Sequence, residues 1–263
     1  MTQRIPIFHV DAFTSRVFAG NPAAVCPLPS WLDDATMQAI AAENNLSETA
    51  FFVSGKEHHE LRWFTPTVEV DLCGHATLAS AFVIFQFLDP KQQVAAFQSK
   101  SGPLRVARSA DMLVLDFPSR LPERTETPPA LVEGLGRPPR EVWRARDNYM
   151  AVYDSEEEVR QLRPDMARLR TLEGFGAVVT APGKASDFVS RYFAPGFGID
   201  EDPVTGMTHC TLTPYWAQRL GKERLHALQV SARGGELFCM PRGDRVAIAG
   251  RAVKYMQGVI EVP

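Results

Sequence analysis

From position 74 to 88 the chain is apolar almost without a break: Ala76, Leu78, Ala79, Ala81, Phe82, Val83, Ile84, Phe85 and Phe87. A helix with no polar face has to be enclosed on every side. The flanking segments are short apolar or alternating stretches bounded by turn residues, which is the pattern of strands. They predict strands over 4–10, 23–27, 50–53, 61–65, 94–98, 104–107 and 113–117. A second helix is predicted over 33–44, capped by Asp33 or Asp34, with Leu32, Met37, Ile40 and Ala41 as its apolar stripe. The second half repeats the scheme. Strands are predicted over 142–146, 149–152, 175–180, 188–193, 228–231, 236–240 and 245–249. A short acidic helix spans 155–161, with Ser155 and Glu158 in capping-box spacing. A second central helix spans 207–220, and Pro214 inside it should kink it.

Two stretches read like copies of each other. Arg62-Trp63-Phe64-Thr65-Pro66 leads through an acidic loop to Cys73-Gly74-His75-Ala76-Thr77. Arg191-Tyr192-Phe193-Ala194-Pro195 leads through another to Thr205-Gly206-Met207-Thr208. A duplicated strand–loop–helix predicts two similar halves, 1–118 and 129–263, joined by the proline-rich and charged segment 118–129. The central helices are then 74–88 and 207–220, and the last strand packs on the N-terminal half. If the halves face each other, two helix N-termini meet across one cleft. Their unpaired N–H groups and partial positive charge suit a carboxylate.

Composition narrows the function. Lys and Arg number 28 against 31 Asp and Glu, a formal net charge of −3, which gives no reason to expect nucleic acid or an anionic membrane as partner. The longest apolar run is about half of the ~20 residues a membrane span needs. No signal peptide is visible at the N-terminus, so the cytoplasm is expected. The cysteines, Cys26, Cys73, Cys210 and Cys239, form no C-x-x-C pair and read as reduced thiols.

Four residues stand out as candidates for chemistry. Glu48 sits where a helix gives way to an apolar strand, and a carboxylate held against an apolar wall has a raised pKa and can shuttle a proton. The alternative is a solvated loop glutamate. His75 opens the buried helix, where the dipole should lower its pKa and keep it neutral; the alternative is a packed histidine bonded to a loop carbonyl. Asp202, before Pro203, is either a turn residue or a cleft carboxylate that orients His75 or a substrate. Cys73 at a helix start is either a racemase base or a buried structural thiol. Its repeat partner is Thr205, too weak a base for a two-thiol mechanism. No metal motif, P-loop, dinucleotide fingerprint or Schiff-base lysine is present, so cofactor-free chemistry is expected.

The stretches His9-Val10-Asp11-Ala12-Phe13, Gly20-Asn21-Pro22-Ala23, Leu46-Ser47-Glu48-Thr49-Ala50-Phe51, Leu72-Cys73-Gly74-His75-Ala76-Thr77 and Glu201-Asp202-Pro203-Val204-Thr205-Gly206 together resemble the PhzF family of phenazine biosynthesis, in order and spacing, over essentially the whole chain. The resemblance implies an α+β, diaminopimelate-epimerase-like fold. Two pseudo-symmetric domains each wrap a β-barrel-like sheet around a central helix, with the site between them. It also implies a homodimer and a cofactor-independent isomerase that moves a proton on a small carboxylate-bearing metabolite. Glu48 matches the family's base, His75 its helix-start histidine and Asp202 its aspartate. Ser47 and Gly74 match residues near the ligand, and Asn21, Cys73, Gly206 and Met207 complete the expected substrate contacts. Met207 stands where the family commonly has Ser, which should change the pocket floor. Two other readings stay open. One is an amino-acid racemase or epimerase with Cys73 as a base. The other is a non-catalytic binding or scaffolding member of the family.

Overall fold

The computed structural model describes residues 2–263 apart from Asp147 and Phe175, and the backbone alone of Phe197. The chain divides into two compact units: residues up to 116 together with 249–263, and residues 117–248.

In chain order the first unit contains β1 (Gln3–Ala12), β2 (Asn21–Leu28), α1 (Asp34–Asn44), β3 (Glu48–Ser54), β4 (His59–Phe64), β5 (Glu69–Val70), α2 (Gly74–Val83), β6 (Val94–Ser99), β7 (Gly102–Ser109) and most of β8 (Met112–Pro118). The second contains β9 (Glu123–Arg124), α3 (Pro129–Leu135), β10 (Glu141–Ala145), β11 (Asn148–Val152), α4 (Glu156–Gln161), α5 (Met166–Leu169), β12 (Gly176–Pro182), β13 (Phe188–Ala194), β14 (Ile199–Asp202), α6 (Gly206–Leu220), β15 (Leu225–Gln229), β16 (Gly235–Arg242) and most of β17 (Arg245–Gly250). The last strand, β18 (Ala252–Val262), pairs antiparallel with β1 across its full length.

The duplication is visible strand by strand. In the first unit β2 and β3 are parallel, β3 and β4 antiparallel, β4 and β5 antiparallel, β4 and β6 parallel, β6 and β7 antiparallel. In the second, β11 to β16 repeat that series of directions in the same order. Each central helix follows the equivalent short strand. Between Ala76 and Val83 every residue of α2 except Phe82 is buried, and the helix packs against β1, β2, β3, β7 and β18. The fold is therefore α+β, with a sheet wrapped around a helix in each unit. No helix among the described residues is long and apolar enough to cross a membrane.

Several predicted elements change. The helix expected over 74–88 ends as α-helix at Val83 and widens into a π-turn, Ile84–Leu88, closed by Asp89 N–H donating to Ile84 C=O at 2.8 Å. The Arg108 guanidinium, reaching over from β7, takes the Phe85 carbonyl at 2.6 Å, and Pro90 follows. Pro214 lies within α6 without ending it. It cannot donate to the carbonyl four residues back, Cys210, and that carbonyl instead accepts the Arg120 N–H at 3.0 Å. The segment read as linker, 118–129, carries β9, which pairs with Trp143 and Arg144. The strand expected over 228–231 lies at Leu225–Gln229, with Leu225, Ala227 and Gln229 facing inward. Phe175, the first residue of another predicted strand, lies outside the described residues.

Candidate active site

In the first unit the local structure gathers four of the predicted residues and braces a fifth. Gly20 has φ +66° and a Cβ there would strike the Ala12 carbonyl, so only glycine lets the chain turn into β2. The next residue, Asn21, is fully buried and accepts the Ser47 hydroxyl at 3.1 Å. Ser47 precedes Glu48, the first residue of β3, and β3 lies parallel to β2 with Ala23 opposite Glu48. Cys73 is the N-cap residue of α2 and His75 is its second residue.

His75 Nε2 lies 3.0 Å from Glu48 Oε2. The ring N–H is not aimed along that line, so this buried oxygen has no well-aligned donor. Cys73 Sγ lies 3.5 Å from His75 Nδ1. Cys73 and His75 are both buried, and the Glu48 side chain is 12% exposed. Burial alone would pull the His75 pKa down. The Cys73 sulfur and the Glu48 carboxylate outweigh it and carry the imidazole well above its ordinary value. Burial and the Glu48 charge push the Cys73 thiol up to about 11, so near neutral pH it is a neutral thiol. The upward shift of His75 thus draws on both neighbours, the Cys73 sulfur and the Glu48 carboxylate. This reverses the sign expected from the helix start, because a carboxylate at 3.0 Å acts more strongly than half a unit charge spread over a helix end.

The pair has a pH consequence. The folded pKa of His75 lies above the unfolded value of about 6.5, so its contribution to stability is fully present below that value and is lost as pH rises through the folded pKa. The urea midpoint is expected to fall as pH rises above about 6.5, and to fall less in His75→Gln. Parallel curves for the two proteins would contradict the assignment.

In the second unit Asp202 ends β14 and Gly206 opens α6. The Thr205 hydroxyl donates to the Asp202 carboxylate and makes no capping bond to α6. Gln229, 1% exposed, holds this loop from β15. Its carbonyl accepts the Thr205 N–H at 2.8 Å, and its amide donates to the Asp202 carbonyl at 2.8 Å and to the Thr205 hydroxyl at 3.2 Å. Ser231 donates to the Pro203 carbonyl at 2.8 Å. His209 Nδ1 sits 2.8 Å from the Thr205 carbonyl, and burial lowers its pKa to about 4, so the ring is neutral and donates there. Met207 is half-buried and, with Thr208 and Thr211, lines a cavity of about 10 Å³ beside Arg120 and Asn148, room for roughly one water.

Sequence reasoning missed Gln229, a polar residue at an inward strand position. Gln229→Leu keeps the volume but strands the Thr205 N–H and the Asp202 C=O. The expected loss is about 2–4 kcal/mol by urea unfolding. A change within about 0.5 kcal/mol would mean both groups have other partners.

A second omission is the clamp that shapes each acidic loop. Arg62 grips Glu69 at 2.7 and 2.9 Å, and Arg191 grips Glu201 at 2.7 and 3.0 Å. Each guanidinium also lies over a phenylalanine two residues along, Phe64 at 5.1 Å and Phe193 at 4.8 Å. The signal was present: the two copies place Arg and Glu in equivalent positions.

The sequence matches the PhzC–PhzF family, phenazine biosynthesis-like protein, over residues 10–258. An uncharacterized isomerase of Pseudomonas aeruginosa is 54% identical over 258 residues, covering 98% of this chain and 99% of the relative. The crystal structure of a PhzF-family phenazine biosynthesis protein from Enterococcus faecalis is 47% identical and superposes with a TM-score of 0.95, covering 98% of this chain and 99% of that one. A hydroxyproline epimerase from Agrobacterium vitis, 12% identical, shares the fold at a TM-score of 0.64.

Proposed function

The chain belongs to the PhzC–PhzF family of phenazine biosynthesis-like proteins, and from that premise we propose that it is an isomerase that moves a proton on a small carboxylate-bearing metabolite. The single observation that carries the chemistry is the Glu48–His75 pair, a half-buried carboxylate 3.0 Å from a buried imidazole at a helix start. Glu48 takes the proton from a substrate carbon. His75 holds the carboxylate in place through its proximity, with Nε2 3.0 Å from Oε2. The N–H groups of Gly74 and His75 lie in the first turn of α2 and have no acceptor within the helix; they receive the substrate carboxylate or the enolate oxygen as charge develops. Asp202, braced by Thr205 and Gln229, serves orientation. Ser47, Asn21, Gly206 and Met207 complete the substrate contacts, and no added cofactor is needed. The working protein is proposed to be a cytoplasmic homodimer.

The racemase alternative needs Cys73 as a thiolate base, and a thiol pushed up to about 11 does not favour it. The test is a panel of small carboxylic acids incubated with the purified protein without cofactor and followed by NMR. At least one is expected to convert to an isomer of unchanged mass. Conversion of none, together with tight capture of a protein partner, would favour a non-catalytic member.

A further inference from the structure

The two faces of the β1–β18 ladder are treated differently. Ile5, Ile7, Ile260 and Val262 point to one side, where Met37 and Ile40 of α1 cover them. On the other side the register places Arg4 opposite Glu261, Pro6 opposite Val259 and Phe8 opposite Gln257. There Phe8 is buried under the Phe87 ring at 5.2 Å, while Pro6 stays exposed and Val259 is 52% exposed. Two further aromatics stand beside this face. β18 carries one extra residue, Tyr255, between the partners of His9 and Val10, and this bulge leaves its ring 55% exposed. Phe18, 70% exposed, meets that ring edge-on at 5.5 Å. Its backbone has φ +68°, a costly conformation for a bulky residue, and the buried Asp11 carboxylate fixes it by accepting the Phe18 N–H at 3.0 Å. Lys254, next to Tyr255, lies over the Phe87 ring at 4.5 Å and joins the two groups. Among the described residues five large apolar side chains are more than half exposed, and Phe18, Tyr255 and Val259 share this surface. Scattered exposed side chains need no explanation, whereas a cluster of them marks an interface.

We propose that this face is the contact surface of a two-fold dimer, with a second copy of this chain as its occupant. The order of charges along β18 decides the occupant. The strand is basic at Lys254, uncharged from Tyr255 to Ile260 and acidic at Glu261. Reversed, it complements itself: a two-fold axis at the middle of the strand brings Lys254 of each copy beside Glu261 of the other, with Val259 near the centre. From Lys254 to Glu261 the strand runs about 23 Å at the usual rise per residue, long enough for a standard interface of about 800 Å² per partner. Glu261 lies 3.6 Å from Arg4 with both side chains exposed, a pair weak enough to exchange partners. The proposal rests on the homodimer reading and gives that dimer its surface.

The test is sedimentation velocity on the full chain over a range of concentrations, with folding checked by circular dichroism. Wild type is expected to sediment as a dimer. Val259→Asp puts a charge near the centre of the contact from each copy, and Phe18→Asn removes the aromatic while keeping a residue that tolerates positive φ. Each should raise the dimer dissociation constant at least about 100-fold. Leu121→Asp, an exposed apolar position in the second unit, should leave it unchanged. A measurement on wild type alone completes the test. Carbodiimide coupling of a mixture of light- and heavy-isotope protein, read by mass spectrometry, should join Lys254 of one copy to Glu261 of the other. A monomeric wild type would overturn both the surface and the homodimer reading. A wild-type dimer that Val259→Asp and Phe18→Asn leave intact, that Leu121→Asp weakens equally, or that cross-links through other residues alone, would overturn the surface and leave the homodimer standing.

Discussion

Glu48→Gln is expected to lower turnover of the isomerised carboxylate by about 10²–10⁴-fold, the typical contribution of a positioned proton-transfer group. The substitution is chosen for what it keeps. Glutamine has the same length, and its amide oxygen still faces His75, so the start of β3 and the start of α2 retain their contact. What is lost is the basic carboxylate. KM should change little, because Glu48 is assigned to the chemical step. Asp202→Asn should behave differently. It weakens the acceptor of the Thr205 hydroxyl and disturbs the loop before α6, so it is expected to raise KM as well as lower kcat. Identical patterns in the two variants would remove the division of roles.

Arg191→Ala is expected to cost about 3–5 kcal/mol by urea unfolding, the range for breaking a largely buried ion pair from one side. The Arg191 side chain is 11% exposed. Besides Glu201 it donates to the Val159 and Leu162 carbonyls, both at 3.1 Å; its removal takes the partner from the Glu201 carboxylate and the Val159 carbonyl, while Leu162 keeps Arg163 at 2.9 Å. The equivalent change in the first unit, Arg62→Ala, should cost less, about 1–3 kcal/mol. Lys100 Nζ also reaches Glu69 there, at 2.5 Å, and would still neutralise it. Asp34, the other partner of Arg62, is exposed and needs no compensation. Equal losses in the two variants would mean that the clamps act through the shared arginine–aromatic contact instead.

Much of the fold is legible because it depends on short-range pattern. Asp33 caps α1 through the Thr36 N–H, and Ser155 with Glu158 forms the capping box of α4. The apolar length of α2 announces its enclosure, and the Arg-aromatic-Pro repeat announces the duplication seen in the strand directions. What escaped depends on partners distant in sequence. Gln229 reads as a break in an apolar strand until its three bonds to the Asp202–Thr205 loop are seen. The π-turn after Val83 depends on Arg108, two strands away. The upward shift of His75 depends on Cys73 and on Glu48, which no helix-start rule includes. The gathering of Glu48, Cys73 and His75 in one cluster was the part of the site carried by family resemblance, not by spacing.

The central claim is that Glu48 moves the proton. Its most direct test is deuterium wash-in from solvent, read by mass spectrometry at the reacting carbon of the substrate, with wild type and Glu48→Gln side by side in D₂O. Rapid incorporation is expected for the wild type and none above background for the variant, with ligand binding retained. Incorporation by Glu48→Gln at the wild-type rate would show that another group is the base and that Glu48 is a structural partner of His75.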